Sequence, residues 1–290
     1  MNAKVKNILE RLLIFGIGLP LSLAVVFFFP QKNHLALNIL VTFFSVLGAV
    51  EFAGILRHKQ LYVSKIEAII FGGLPSLTTT LYVSFGWTAL TIAASVILCA
   101  AYCLILCAFT QAQTMEKAGL RLAAGLSVIF YPGIFLSCIN LMSSLPNSTP
   151  LIIVFLGTVI LNDSSAWLFG MLFGKRNKGI IPASPNKSVA GFAGGIFGSM
   201  VVCVAASLLL PAIFTTTRFS ALTSGIILGV TTGFASIIGD LAESALKRSC
   251  GVKDSGSLMP GRGGVLDSLD SISLAAPIFF IVYNVLFNIV

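Results

Sequence analysis

Residues 87–109 read WTALTIAASVILCAAYCLILCAF, a run without one charged side chain. A helix rises about 1.5 Å per residue, so some 20 apolar residues cross a hydrocarbon core about 30 Å thick. Outward from this run, similar windows lie at 11–29, 35–56, 66–86, 119–141, 150–173, 189–211, 219–246 and 266–288. Only helices and closed barrels satisfy their backbone in lipid. Barrel strands alternate polar and apolar residues over about 10 positions, whereas these runs are unbroken. The expected fold class is therefore an all-α polytopic membrane protein with about nine transmembrane helices. Composition agrees, since 57% of the 290 residues are hydrophobic and 10% are charged, against about 25% charged in soluble domains. Phe85-Gly86-Trp87 separates the third window from the fourth, and Gly and Trp suit an interfacial turn.

Lys4, Lys6 and Arg11 precede the first window, which imitates a signal peptide. It is longer than an h-region of about 7–15 residues and lacks a clear small-residue cleavage site, so it reads as an uncleaved first span. With the N-terminus in the cytoplasm, 16 of the 18 Lys and Arg fall on cytoplasmic segments, leaving only Lys32 and Arg218 outside. Such a split follows the positive-inside bias and supports an odd number of spans, with the C-terminus outside. The net charge of +8 is then a topology signal, and no nucleic acid is expected as a partner. The expected division is 1–150, about five N-terminal spans, and 151–290, a C-terminal transmembrane region with cytoplasmic loops 174–188 and 247–264. The halves show no obvious internal repeat. Cys99, Cys103 and Cys107 share one helix face and read as small packing residues.

The acids are unevenly spread, six of ten lying between Asp163 and Asp270. A carboxylate at mid-bilayer costs about 2.5–3.5 kcal/mol on insertion scales, so acids in apolar spans need partners. Glu51 reads as a packed or interfacial partner of Arg57 or Lys59. Asp240, Glu243, Ser244 and Lys247 fall at i, i+3, i+4 and i+7, a polar stripe on one helix face. Glu243 and Lys247 alone would be an ordinary i,i+4 pair. Asp240, one turn deeper, calls for a stronger partner such as a cation. Residues 253–264, KDSGSLMPGRGG, contain four glycines that permit several N–H groups to aim at one point. With Lys253 and Arg262 this is either a phosphate cradle or a flexible connector. Asp267 and Asp270 follow at i,i+3 and suit Mg²⁺, which takes a few carboxylates plus substrate phosphates. The helix N-terminus also favours an acid at Asp267, and less so at Asp270, because the dipole effect fades beyond the first turn. Asp163 lies in another apolar span. Ser184-Pro185-Asn186-Lys187-Ser188 forms a turn, with Ser188 placed to cap the next helix and Lys187 to meet phosphate or to mark the cytoplasmic side.

Taken together these residues resemble the phosphatidate cytidylyltransferase (CDP-diacylglycerol synthase) family. The resemblance is carried by Ser244-Ala245-Leu246-Lys247-Arg248, Lys253-Asp254, and 260–270, PGRGGVLDSLD, at the family's spacing. The Asn162-Asp163-Ser164, Ser184-Pro185-Asn186-Lys187-Ser188 and Gly239-Asp240-Leu241 elements add to it. Three positions depart from the family pattern: Arg262 stands for its histidine, Ser268 for its arginine and Ala190 for its glutamate.

The resemblance implies that CTP and phosphatidate give CDP-diacylglycerol and pyrophosphate, with Mg²⁺ (or Mn²⁺) as cofactor. It implies metal binding by Asp240, Asp267, Asp270 and Asp163. Phosphates would be held by Lys187, Lys247, Arg248, Lys253, Arg262 and the turn Gly261, Gly263 and Gly264. Glu243 would orient Lys247, and Ser244 and Asp254 would position ligand or metal. The expected partners are CTP, phosphatidate and membrane lipid, with a homodimer also compatible. The expected location is a bacterial inner membrane, with the site facing the cytoplasm. Two other readings stay open: a CTP-dependent kinase of a polyprenol or phytol, and an ion-coupled transporter using the acids as its ion site.

Overall fold

The computed structural model describes residues 18–214, 219–259, 261 and 263–287. Its helices are α1 (Leu19–Phe28), α2 (Gln31–Arg57), α3 (Lys65–Phe85), α4 (Ala89–Ala108), α5 (Ala118–Val128) and α6 (Phe135–Met142). They continue as α7 (Ser148–Phe173), α8 (Val189–Leu209), α9 (Ala221–Ser249) and α10 (Leu266–Phe287). A π-helical turn, Ile129–Ile134, containing Pro132, joins α5 to α6, so these form one bent span. Eight helical segments among the described residues are long and apolar enough to cross a membrane. The expected window at 11–29 begins outside the described residues; its described part is α1.

Local chemistry explains the boundaries. Right-handed helix in α2 begins after Lys32, Asn33 and His34, which hold positive φ. α3 opens on a capping box, in which the Ser64 hydroxyl accepts from Glu67 N and Glu67 Oε2 accepts from Ser64 N. It closes at Gly86, with φ +73°. That left-handed turn, cheap only for glycine, separates the third span from the fourth as expected. Cys99 and Cys103 are buried, the packing role expected of them.

The described residues group into two compact units. Those up to Ser144 join Ser249–Leu269, and Leu145–Arg248 join those from Asp270 onward. Each is held by small residues and polar side chains, since lipid supplies no hydrophobic drive between helices. In the first unit the Ser45 hydroxyl donates to Gly72 O at 2.7 Å. Asn140 Nδ2 donates to Thr80 Oγ1 at 3.1 Å. In the second, Gly225, Gly229 and Gly233 form a flush face on α9 against α8. A Cβ on Gly229 would stand 2.6 Å from Met200 Cα. Buried Asn162 of α7 donates to Ser199 Oγ at 2.9 Å and to Gly233 O at 3.1 Å, tying α7, α8 and α9 together.

Candidate active site

In the second unit the loop after α7 folds back on itself. Lys178 bridges Ser188 in antiparallel fashion, and Val189 N donates to Asn177 O at 3.2 Å. Lys187 N donates to Ser184 O at 3.1 Å, closing the Ser-Pro turn. The Ser188 hydroxyl accepts from Gly191 N at 3.1 Å, the expected cap on α8. Lys187 is thus held at a helix entrance, and its ammonium pairs directly with the Asp240 carboxylate on α9. The strong partner that Asp240 requires is, among the described residues, a lysine. Ser244 Oγ stands 3.5 Å from Asp240 Oδ1.

One turn along α9, Lys247 Nζ lies 3.2 Å from Glu243 Oε1, and both side chains are buried. The helix stripe expected from spacing is therefore two ion pairs, one within α9 and one reaching the 184–188 turn. Gly239 allows close approach here, because a Cβ on it would meet Asp270 O at 2.6 Å. α9 and α10 touch backbone to backbone, and Asp270 comes within electrostatic reach of Asp240, Glu243 and Asp163. Asp163 Oδ1 accepts from Ser271 Oγ at 3.2 Å, and Asp270 Oδ1 from Ser271 N at 2.6 Å.

A cavity of about 530 Å³ opens beside these groups. Its polar wall includes Asp163, Lys178, Asn186, Lys187 and Asp240, and its apolar wall Trp167, Met171 and Phe192. Two ammonium groups and two carboxylates beside an apolar wall suit an anionic, amphipathic ligand. Arg248, at the exposed end of α9, belongs to this unit as well.

The first unit holds a different acid cluster. Asp267 Oδ2 accepts from Ser255 N at 2.8 Å, Ser255 Oγ at 2.9 Å and Gly264 N at 2.7 Å. Glu51 of α2 accepts from Val265 N at 3.0 Å, Leu266 N at 2.9 Å and Ser255 Oγ at 3.0 Å. The N–H groups gathered by the glycine-rich loop and the start of α10 therefore meet the chain's own carboxylates. This corrects the reading of Glu51: Arg57 turns instead to Val63 O, with Nη2 at 3.0 Å. A carboxylate in an apolar span is the one local signal for Glu51, and its partners lie more than 200 residues away. Gly261 and Gly263 take φ +69° and +102°, which explains glycine at both. Lys253 and Asp254 are exposed in this loop. Arg262 lies outside the described residues.

The donor set bears on the expected metal. Among the described residues no three His, Cys, Asp or Glu side chains converge as donors to one ion. Mg²⁺ commonly takes one or two carboxylates and fills its other positions with water and substrate phosphate. The hard oxygens of Asp163, Asp240 and Asp270 fit that mode.

The sequence profile of the cytidylyltransferase family matches residues 9–286. A stretch of 130 residues is 42% identical to "Phosphatidate cytidylyltransferase" of Haemophilus influenzae, covering 42% of this chain and 41% of that protein. Another of 122 residues is 40% identical to the Staphylococcus aureus (strain N315) protein of that name, covering 41% and 44%. A stretch of 120 residues is 38% identical to "Uncharacterized protein YnbB" of Escherichia coli K12, covering 41% and 37%. In these matches the chain spans about two-fifths of the length of the curated relatives. The helical membrane fold, the Lys187–Asp240 pair on a cavity wall, and a profile match along nearly the whole sequence lead to one conclusion: this chain belongs to the cytidylyltransferase family.

Proposed function

We propose that the chain transfers the cytidylyl group of CTP to phosphatidate, giving CDP-diacylglycerol and pyrophosphate. The observation that carries this reading is the Lys187–Asp240 pair on the wall of a cavity that is polar on one side and apolar on the other. The names of the relatives supply the substrates. A phosphate oxygen of phosphatidate attacks the α-phosphorus of CTP. A new bond from that oxygen to the α-phosphorus replaces the one to the bridging oxygen, and pyrophosphate leaves with the electron pair. No protein nucleophile is needed.

Lys187 and Lys247 offset charge on the phosphates as it shifts toward the leaving group. Asp240 and Glu243 hold those ammonium groups in place. Arg248, at the exposed end of α9, adds positive charge for the triphosphate. A divalent cation, when bound, would polarise the phosphoryl oxygens. One or two of the carboxylates of Asp163, Asp240 and Asp270 would hold it.

On this reading the N-terminus is cytoplasmic, loops 174–188 and 247–264 face the cytoplasm, and the membrane is a bacterial inner membrane. Reporter fusions after Lys178 and Gly251 should then read cytoplasmic, and one at Val290 outside. The reaction is tested with purified protein, CTP and phosphatidate, from which equal amounts of CDP-diacylglycerol and pyrophosphate are expected. CDP in place of pyrophosphate would assign phosphorylation of a lipid alcohol instead.

A further inference from the structure

We propose that Glu51 is a positioning residue for this reaction: from α2 it tethers the glycine-rich loop and the start of α10, and through Ser255 it sets the carboxylate of Asp267. The inference rests on the proposed reaction and goes beyond it, since Glu51 lies outside the short motifs between residues 162 and 270 that carry the resemblance. An acid in an apolar span persists only with strong partners, and among the described residues those of Glu51 lie between Ser255 and Leu266. Glu51 accepts from Val265 N, Leu266 N and Ser255 Oγ at 2.9–3.0 Å. The Ser255 hydroxyl stands 3.0 Å from Glu51 Oε2 and 2.9 Å from Asp267 Oδ2, so its single proton is shared between the two carboxylates and links them.

The loop is shaped around Glu51. A Cβ on Gly256 would stand 2.5 Å from Glu51 Oε1, and one on Gly264 would stand 2.3 Å from Oε2. The atoms nearest a Cβ at 256 are all Glu51 side chain. Glycine at 256 therefore makes room for the tether. With Glu51 removed, the helix-end N–H groups and the Ser255 hydroxyl fall to Asp267 or water, and Asp267 loses its fixed setting. Groups that orient a functional side chain commonly affect activity 10- to 100-fold.

The test uses full-length protein in detergent and two readouts. Trypsin cleavage after Lys253 reports the loop, and cleavage after Lys178, in the other unit, is the control. Glu51→Gln keeps the shape but turns an amide NH₂ toward donors. It should lower kcat about tenfold or more and speed cleavage at Lys253 while leaving cleavage at Lys178 unchanged. Glu51→Asp, which keeps the charge, should recover part of both. Gly256→Ala should be harmful in wild type and add nothing in Glu51→Ala, because the obstructing side chain is then gone. Wild-type turnover in Glu51→Gln would overturn the proposal, as would equal acceleration of cleavage at both sites, which would mean general loosening. Should wild-type protein form no CDP-diacylglycerol, the proposed reaction fails, and cleavage at Lys253 alone decides the tether.

Discussion

The two units treat their acids in opposite ways. In the first, Glu51 and Asp267 are answered by four backbone N–H groups and one hydroxyl. In the second, Asp240 and Glu243 are answered by the mobile-stemmed cations Lys187 and Lys247, the first pair on a cavity wall. Backbone donors cannot leave a carboxylate without unwinding a loop. An ammonium group can turn toward a phosphate and return. Acids of one charge thus meet different partners: one set meets backbone donors of a loop, and the other meets ammonium groups.

The largest effect that would sharpen this contrast is at Asp240. Asp240→Asn leaves Lys187 without its counter-charge and removes a hard oxygen donor. We expect turnover to fall about a hundredfold or more, with normal insertion and purification. Near-normal turnover would reduce the Lys187–Asp240 pair to a structural tie.

Next is the buried pair. Glu243→Gln removes the carboxylate that faces the Lys247 ammonium, and breaking a buried pair from one side costs about 3–5 kcal/mol. The thermal midpoint in detergent should drop clearly. Adding Lys247→Met should restore much of the stability but not the turnover. Restored turnover would show that the pair serves folding alone.

Helix contact in the second unit sets the scale for a purely structural change. Gly229→Ala drives a methyl into the backbone at Met200, an overpacking cost of about 1–3 kcal/mol. Its midpoint should fall while kcat of the surviving protein holds. The smallest effect is expected at Asp254, exposed in the loop. Asp254→Asn should stay within about 0.5 kcal/mol of wild-type stability and affect turnover far less than Asp240→Asn.

Much of this was readable from sequence because it is local. Apolar windows find spans to within a few residues, as at 66–86 against Lys65–Phe85. Gly86 and Ser188 act through their own dihedrals or the next turn. The α9 stripe is helix spacing, so Glu243 and Lys247 could be paired in advance. The rest depends on contacts between segments distant in sequence. Nothing near Glu51 points to residues 255–266, and its near neighbours Arg57 and Lys59 suggested the wrong partners. Lys187 meets Asp240 across 53 positions. The glycine-rich loop follows α9 in sequence yet groups with the helices up to Ser144, a choice no spacing rule contains.

The most direct test of the account follows the phosphorus. Wild-type protein is given phosphatidate with CTP labelled at either the α- or the γ-phosphate. Cytidylyl transfer predicts that the α-label enters the lipid fraction as CDP-diacylglycerol and the γ-label stays in water as pyrophosphate. Appearance of the γ-label in lipid, with CDP as the soluble product, would contradict it.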